Sequence, residues 1–211
     1  MRFIATSILT VFSIVGFAQN VWEKPVQNST KAVEEVVKPN PDEKYLVGAV
    51  TEEDGKVQWT LDVDVPGKSA EQIYDRMYKC LDDLTKQENQ LEGSCVALVN
   101  KKDHIIVATI KEWLVFKDSF LSLDRSKFNY TLIAECKDNH LTLKMNRLFY
   151  KYEEDRKPQG GSVYKAEDWI SDAKALNKKQ TKLLPGSAKF RRKTVDRKDF
   201  LFENIERIVK E

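Results

Sequence analysis

The sequence predicts an α+β domain in which two helices cover one face of a curved antiparallel sheet. Three observations carry this: strict two-residue alternation of apolar side chains in several segments, short turn-rich links between them, and two stretches with apolar residues at three- and four-residue spacing. Parallel neighbours need a crossover of about a dozen residues or more, so strands joined by such short links must pair antiparallel. The expected order is strand, helix, four strands, helix.

The chain opens with one charge, Arg2, an apolar run from Phe3 to Phe17, and small residues at Gly16 and Ala18. This is the pattern of a secretory signal peptide over residues 1–18. The run is shorter than the about 20 apolar residues of a spanning helix. Gln19, Asn20, Glu23 and Lys24 follow it at once, and the first cysteine is Cys80, so neither a retained anchor nor a lipidated N-terminal cysteine is expected. The mature product is expected in the periplasm or outside the cell. Residues 19–43 mix Pro25, Pro39 and Pro41 with Asn28, Ser29 and Thr30 and read as a flexible tether. The rest suits one domain, residues 44–155 giving the sheet and first helix and residues 156–211 completing it.

From Lys56, Val57, Trp59, Leu61, Val63 and Val65 share one side of a strand that Pro66 and Gly67 end. Ser69 then offers a helix N-cap with Gln72 as its capping-box partner, and Ile73, Met77, Cys80, Leu81 and Leu84 form an apolar stripe widened by Tyr74 and Tyr78, ending near Glu88. After Gly93 come four β-rich segments: Cys95 to Val99, Ile105 to about Phe116, Phe128 to Cys136, and Leu141 to Tyr152. Lys117 to Lys127 reads as a longer connection, with Phe120, Leu121 and Leu123 as either core or partner contacts. Phe128, Tyr130, Leu132, Ala134 and Cys136 define an apolar face, joined by Leu141, Leu143, Met145 and Phe149. A short helix is expected over Ala166 to Leu176, then an irregular basic stretch around Pro185 and Gly186. The last helix is expected from an N-cap at Asp196, with Leu201, Phe202, Ile205, Ile208 and Val209 facing inward.

Lys plus Arg total 35 against 33 Asp plus Glu; loss of Arg2 with the leader leaves 34 against 33, so net charge selects no partner. Three cysteines, Cys80, Cys95 and Cys136, imply no disulfide framework.

Several stretches resemble a family of exported bacterial proteins of unknown function described as having a fold like the TATA-binding protein (TBP). They are Lys44 to Val50, Val65 to Ser69, Ala134 to Asn139, and Trp169 through Lys193, and the likeness extends over most of residues 44–210. The resemblance implies a single TBP-like unit and brings no active site. It does not imply DNA binding: the namesake uses two copies of the unit and an apolar underside with phenylalanine wedges. Here the exposed face offers Gln58, Thr60, Asp62, Asp64, Thr142, Lys144 and Asn146, with carboxylates that repel phosphate. Chromosomal DNA is therefore not an expected partner.

Candidate chemistry is sparse. His104 and His140 are the only histidines, and no metal, P-loop, dinucleotide or nucleophile-elbow motif is present, so no cofactor is expected. Cys95 with His104, or the pair Asp62 and Asp64, would suit a hydrolase. The apolar run Val96 to Val99 instead reads Cys95 as a core residue, and the alternation explains the aspartates as a solvated face. Lys178, Lys179, Lys182, Arg191, Arg192 and Lys193 form a basic stretch suited to a polyanion or partner. Leu148, Tyr150 and Tyr152 break the polar parity of their strand, so with Tyr164 and Trp169 they make either a covered layer or an apolar ligand patch. The expected function is a non-catalytic envelope protein that binds a protein or small ligand, with a hydrolase or a structural subunit as alternatives.

Overall fold

The computed structural model describes residues 40–119, 122–154 and 160–211. The signal-peptide segment, the tether up to residue 39, and Phe120 and Leu121 lie outside them. In chain order the elements are a 3-10 turn at Glu43–Tyr45, β1 (Glu52–Glu53), β2 (Lys56–Val57), β3 (Trp59–Asp64), α1 (Ala70–Thr85), β4 (Cys95–Asn100), β5 (Ile105–Ser119), β6 (Ser122–Lys137), β7 (His140–Tyr152), β8 (Ser162–Lys165), the single-turn helices α2 (Ala166–Trp169) and α3 (Asp172–Ala175), and α4 (Pro185–Lys210). The main sheet runs β3-β7-β6-β5-β4, every pair antiparallel, with β8 also on β7. Residues 39–211 make one compact unit.

The capping box of α1 forms as the sequence requires: Ser69 Oγ accepts from Gln72 N–H and Gln72 Oε1 accepts from Ser69 N–H. Ile73, Met77 and Leu81 are wholly buried against the sheet, whereas Tyr78 stays exposed. The turn between β6 and β7 fastens the start of this helix. Asn139 Oδ1 accepts from Gly67 N–H at 2.7 Å and Asp138 Oδ1 from Ala70 N–H at 2.8 Å, so a two-residue turn positions the whole β3–α1 connection.

Four features depart from the sequence reading. The run from Lys56 is two strands, because Asp54 and Gly55, both with positive φ, turn β1 back on β2 as a separate two-residue hairpin. The stretch Lys117 to Lys127 is no loop: β5 and β6 stay paired out to Ser119 and Ser122, so the hairpin projects past the core as a ladder with exposed side chains such as Leu123. The expected helix over Ala166 to Leu176 is broken at Ile170 and Ser171 into α2 and α3. Finally, α4 begins at Pro185, well ahead of Asp196. Proline suits the first helical position, whose N–H has no intrahelical partner. The inward side of α4 carries Arg191 and the largely buried Arg197 among Ala188, Val195 and Phe202, and these charges hide its helical period.

Arg191 is the largest wholly buried side chain. It donates to the carbonyls of Tyr45 (2.6 Å), Ile170 (2.6 Å) and Leu46 (2.7 Å) and to Asp172 Oδ1 (2.5 Å), tying the N-terminal turn and α2–α3 to α4. Nearby, Arg192 grips both oxygens of Asp42, and Asn40 reaches the Thr181 carbonyl. Residues 40–43, expected to belong to the tether, are therefore bound to the domain. A second buried node is Glu112, 1% exposed, which accepts from Arg197, Tyr130, Asn89 and Gln90. It joins α4, two strands and the loop after α1. Both carboxylate oxygens of Glu112 accept from donors, which is the condition for a carboxylate to persist in a core.

Candidate functional site

A β-bulge in β7 shapes a hollow in the surface beside it. Asn129 pairs with Phe149 and Thr131 with Asn146, so Arg147 and Leu148 together oppose the single residue Tyr130. Arg147 takes φ 54°, the left-handed conformation such a bulge needs. One extra residue reverses the parity of the rest of the strand. Leu148 (2% exposed) and Tyr150 (0%) thereby turn into the core, and Phe149, expected in the core, turns to the other face.

The bulge also divides one edge of β7. β3 pairs with residues 140–145 and β8 with residues 149–152, leaving Asn146, Arg147 and Leu148 without a strand partner on that edge. The gap is a notch of about 650 Å³, within the size range of small-molecule sites. One wall is the β1–β2 hairpin and the residue after it, with Glu53, Asp54, Lys56, Val57 and Gln58; the floor is Lys144 and Asn146 to Phe149; the far wall is Val163, Lys165 and Glu167. The Lys56–Glu167 pair, at 2.7 Å, links the two walls. It raises the Lys56 pKa and lowers that of Glu167 against its burial. Asn146 Nδ2 donates to Gln58 Oε1 at 3.1 Å, and Gln58 Nε2 donates onward to Glu53. Lys144, Arg147 and Lys165 enter no salt bridge among the described residues.

The residues singled out from the sequence fall elsewhere or in changed roles. Leu148 and Tyr150 are core, correcting the open-patch alternative. Phe190 of α4 meets Tyr150 at 5.1 Å and Tyr152 at 5.4 Å, and Tyr150 OH bonds Thr194 Oγ1 at 2.7 Å. Tyr164 stacks on Trp169 at 4.1 Å beside the same phenylalanine. The cover is thus chiefly α4, while Val163 stays 66% exposed at the notch.

The basic stretch is likewise divided. Arg191 is buried, and Arg192, though partly exposed, is paired with Asp42; Lys178, Lys179 and Lys182 are exposed on the loop between α3 and α4, and Lys193 is exposed on the helix. Arg191 was legible only as a charge, because a buried arginine needs several acceptors that distant segments supply.

Cys95 is exposed on the edge strand β4, correcting its reading as a core residue: an outermost strand exposes side chains even within an apolar run. Thr109 pairs with Cys95 at one end of β4 and His104 lies beyond the other, roughly 15 Å along the strand. The two do not form a dyad. Asp62 and Asp64 meet His140 instead, through its Nε2 at 3.3 Å and Nδ1 at 3.0 Å, and Thr142 Oγ1 donates to Asp62 at 2.8 Å. These contacts raise the His140 pKa, Asp64 contributing most, and lower that of Asp62, Thr142 contributing most. Among the described residues no group of three or more His, Cys, Asp or Glu side chains is placed to hold a metal ion, and no helix is long and apolar enough to cross a membrane.

The sheet order and the two long helices on one face define a TBP-like α+β protein with a side notch. The family described as a domain of unknown function (DUF4468) with TBP-like fold matches residues 59–151. A DUF4468 family protein from Bacteroides ovatus ATCC 8483 is 39% identical, with a TM-score of 0.74 over 82% of this chain and 96% of that one. A TBP-like protein from Parabacteroides distasonis ATCC 8503 is 22% identical, with a TM-score of 0.62 over 77% and 98% of the respective chains. No curated protein matches the chain. The protein belongs to the DUF4468 family.

Proposed function

We propose that this protein is a non-catalytic binding protein of the cell envelope, exported by its first 18 residues, with the notch as its ligand seat. The observation that carries the reading is the break in the β7 edge. A β-sheet ordinarily continues its ladder or exposes a flat edge. Here a bulge, a separate hairpin and β8 surround a concave space with partly apolar walls and three cations that enter no salt bridge among the described residues. The basic residues at α4 give less support for a polyanion surface, since two of the six are consumed within the fold. A hydrolase is disfavoured by the separation of Cys95 from His104 and by the capture of Asp62 and Asp64 by one histidine.

The test is class-neutral: amide spectra of the labelled protein against a fragment library mixing neutral, cationic and anionic compounds. Shifts should gather on Gln58, Asn146 to Phe149 and Val163 to Glu167, and Val163→Trp, which plugs the space from an exposed position, should abolish them. Hits that gather elsewhere and ignore the plug would sink the assignment. Export is checked by the N-terminus of the protein recovered outside the cytoplasm, expected at Gln19.

A further inference from the structure

The notch carries more information than its shape. Its lining holds four cations, Lys56, Lys144, Arg147 and Lys165, against three acids, Glu53, Asp54 and Glu167. Lys56 and Glu167 are engaged with each other and Glu53 takes the Gln58 amide. What remains for a ligand is three cations against two carboxylates, Asp54 and Glu53, the latter keeping its charge because an amide donor does not neutralise it. The uncharged polar side chains are Gln58 and Asn146; one hydrogen of each amide is committed to the relay that ends on Glu53, and Asn146 Oδ1 is buried without a partner. A seat for a sugar or another polyhydroxylated molecule needs several converging neutral donors and acceptors, and this lining has two neutral polar side chains, bonded to each other. The remaining surface is apolar, chiefly from Phe149 and the exposed Val163, with Val57 and Leu148 buried beneath.

Resting on the reading of the notch as the ligand seat, we propose that its ligand is an anionic amphiphile, an apolar body bearing one carboxylate or other anionic group. The body lies on Phe149 and Val163, where burial of hydrocarbon drives binding without directional contacts. The anionic end meets Lys144, Arg147 and Lys165, whose long side chains reach it while keeping contact with water. Arg147 owes its place to the bulge itself: positive φ at this position sets it between the ends of β3 and β8. Charge supplies selection, and the apolar walls supply most of the affinity.

The probes are decanoate, decyltrimethylammonium and glucuronate, titrated calorimetrically at low salt into the full chain. Decanoate should bind at least tenfold more tightly than the other two, and its affinity should fall as salt rises. The double variant Lys144→Glu, Lys165→Glu should weaken decanoate tenfold or more, with an unchanged unfolding midpoint showing that the fold survives. Equal binding of decyltrimethylammonium would refute selection for an anion, and tighter binding of glucuronate would refute the apolar body. If fragments occupy the notch and Val163→Trp expels them, yet decanoate neither binds nor competes, the ligand class is wrong and the seat stands. If the plug changes nothing in either experiment, the seat itself is wrong.

Discussion

Replacement of Arg191 by methionine isolates the node that binds the N-terminal turn and α2–α3 to α4. Methionine keeps much of the volume and removes every donor. Three carbonyls, those of Tyr45, Leu46 and Ile170, lose their partner, and Asp172, 22% exposed, loses its counter-charge. An orphaned buried acceptor costs about 1–3 kcal/mol, and removing one member of a buried ion pair typically costs about 3–5 kcal/mol. The two figures describe overlapping losses and are not summed. Asp172 can recover water, and it retains the Gly48 N–H at 2.9 Å. A loss of roughly 3–5 kcal/mol is therefore expected, a large part of the 5–15 kcal/mol of an ordinary domain at about 150 residues or more, and roughly 6–20 °C in Tm. Urea denaturation followed by fluorescence measures it, and faster amide exchange at Gly48 would localise it. The control is Arg192→Ala. That side chain is 39% exposed and among the described residues its salt-bridge partner is Asp42, so the loss should stay below about 1 kcal/mol. Equal losses from Arg191→Met and Arg192→Ala would refute the assignment of Arg191 as the buried clamp.

Two further outcomes follow from the titratable groups. The His140 imidazolium is held by Asp64 and Asp62, so its folded pKa lies above the ordinary 6.5. Its contribution is complete below the unfolded value and is lost as pH rises through the folded one; because the ring is partly exposed, the effect stays below about 1 kcal/mol. An NMR titration should place His140 above 6.5 and return it toward that value in Asp62→Asn, Asp64→Asn; a midpoint at or below 6.5 in the parent would contradict the geometry. For the thiols, burial pushes Cys80 up to about 11 and Cys136 up to about 12, while Cys95 is exposed. A disulfide reagent at mildly alkaline pH should therefore modify one thiol rapidly in the native protein and the other two only on unfolding. Rapid labelling that survives Cys95→Ser would show that a second thiol is accessible.

The fold was legible wherever local chemistry and tertiary packing agree. Ser69 and Gln72 announce α1 because both halves of the cap lie within one turn, and Val57 to Val65 announce a half-buried surface because a strand's period is two. Legibility failed where long-range partners decide. The first half of α4 looks like a solvated basic run because nothing near Arg191 in sequence reveals three carbonyls and a carboxylate waiting for it. The arm of β5 and β6 looks like a loop because backbone pairing continues there without a core to demand alternation. Asp54-Gly55 was a readable hairpin signal, but its flanking strands, two residues each, are too short for any period to show.

The candidate site was written in one anomaly, the apolar residues Leu148 and Tyr150 at positions of polar parity. Alternation breaks for two physical reasons: the strand's outer face is covered, or the strand gains a residue. The first would bury both parities, leaving Phe149 as enclosed as its neighbours. The second exchanges them, and Phe149 is the less buried of the three. An inserted residue has a further effect that covering lacks, because it shifts the backbone that neighbours must follow. β3 ends its pairing at Met145 and β8 begins at Phe149, and neither spans the residues between. The same insertion that sends Tyr150 under Phe190 and Thr194 therefore leaves the edge open beside it, so the packing of α4 and the existence of the notch share one cause.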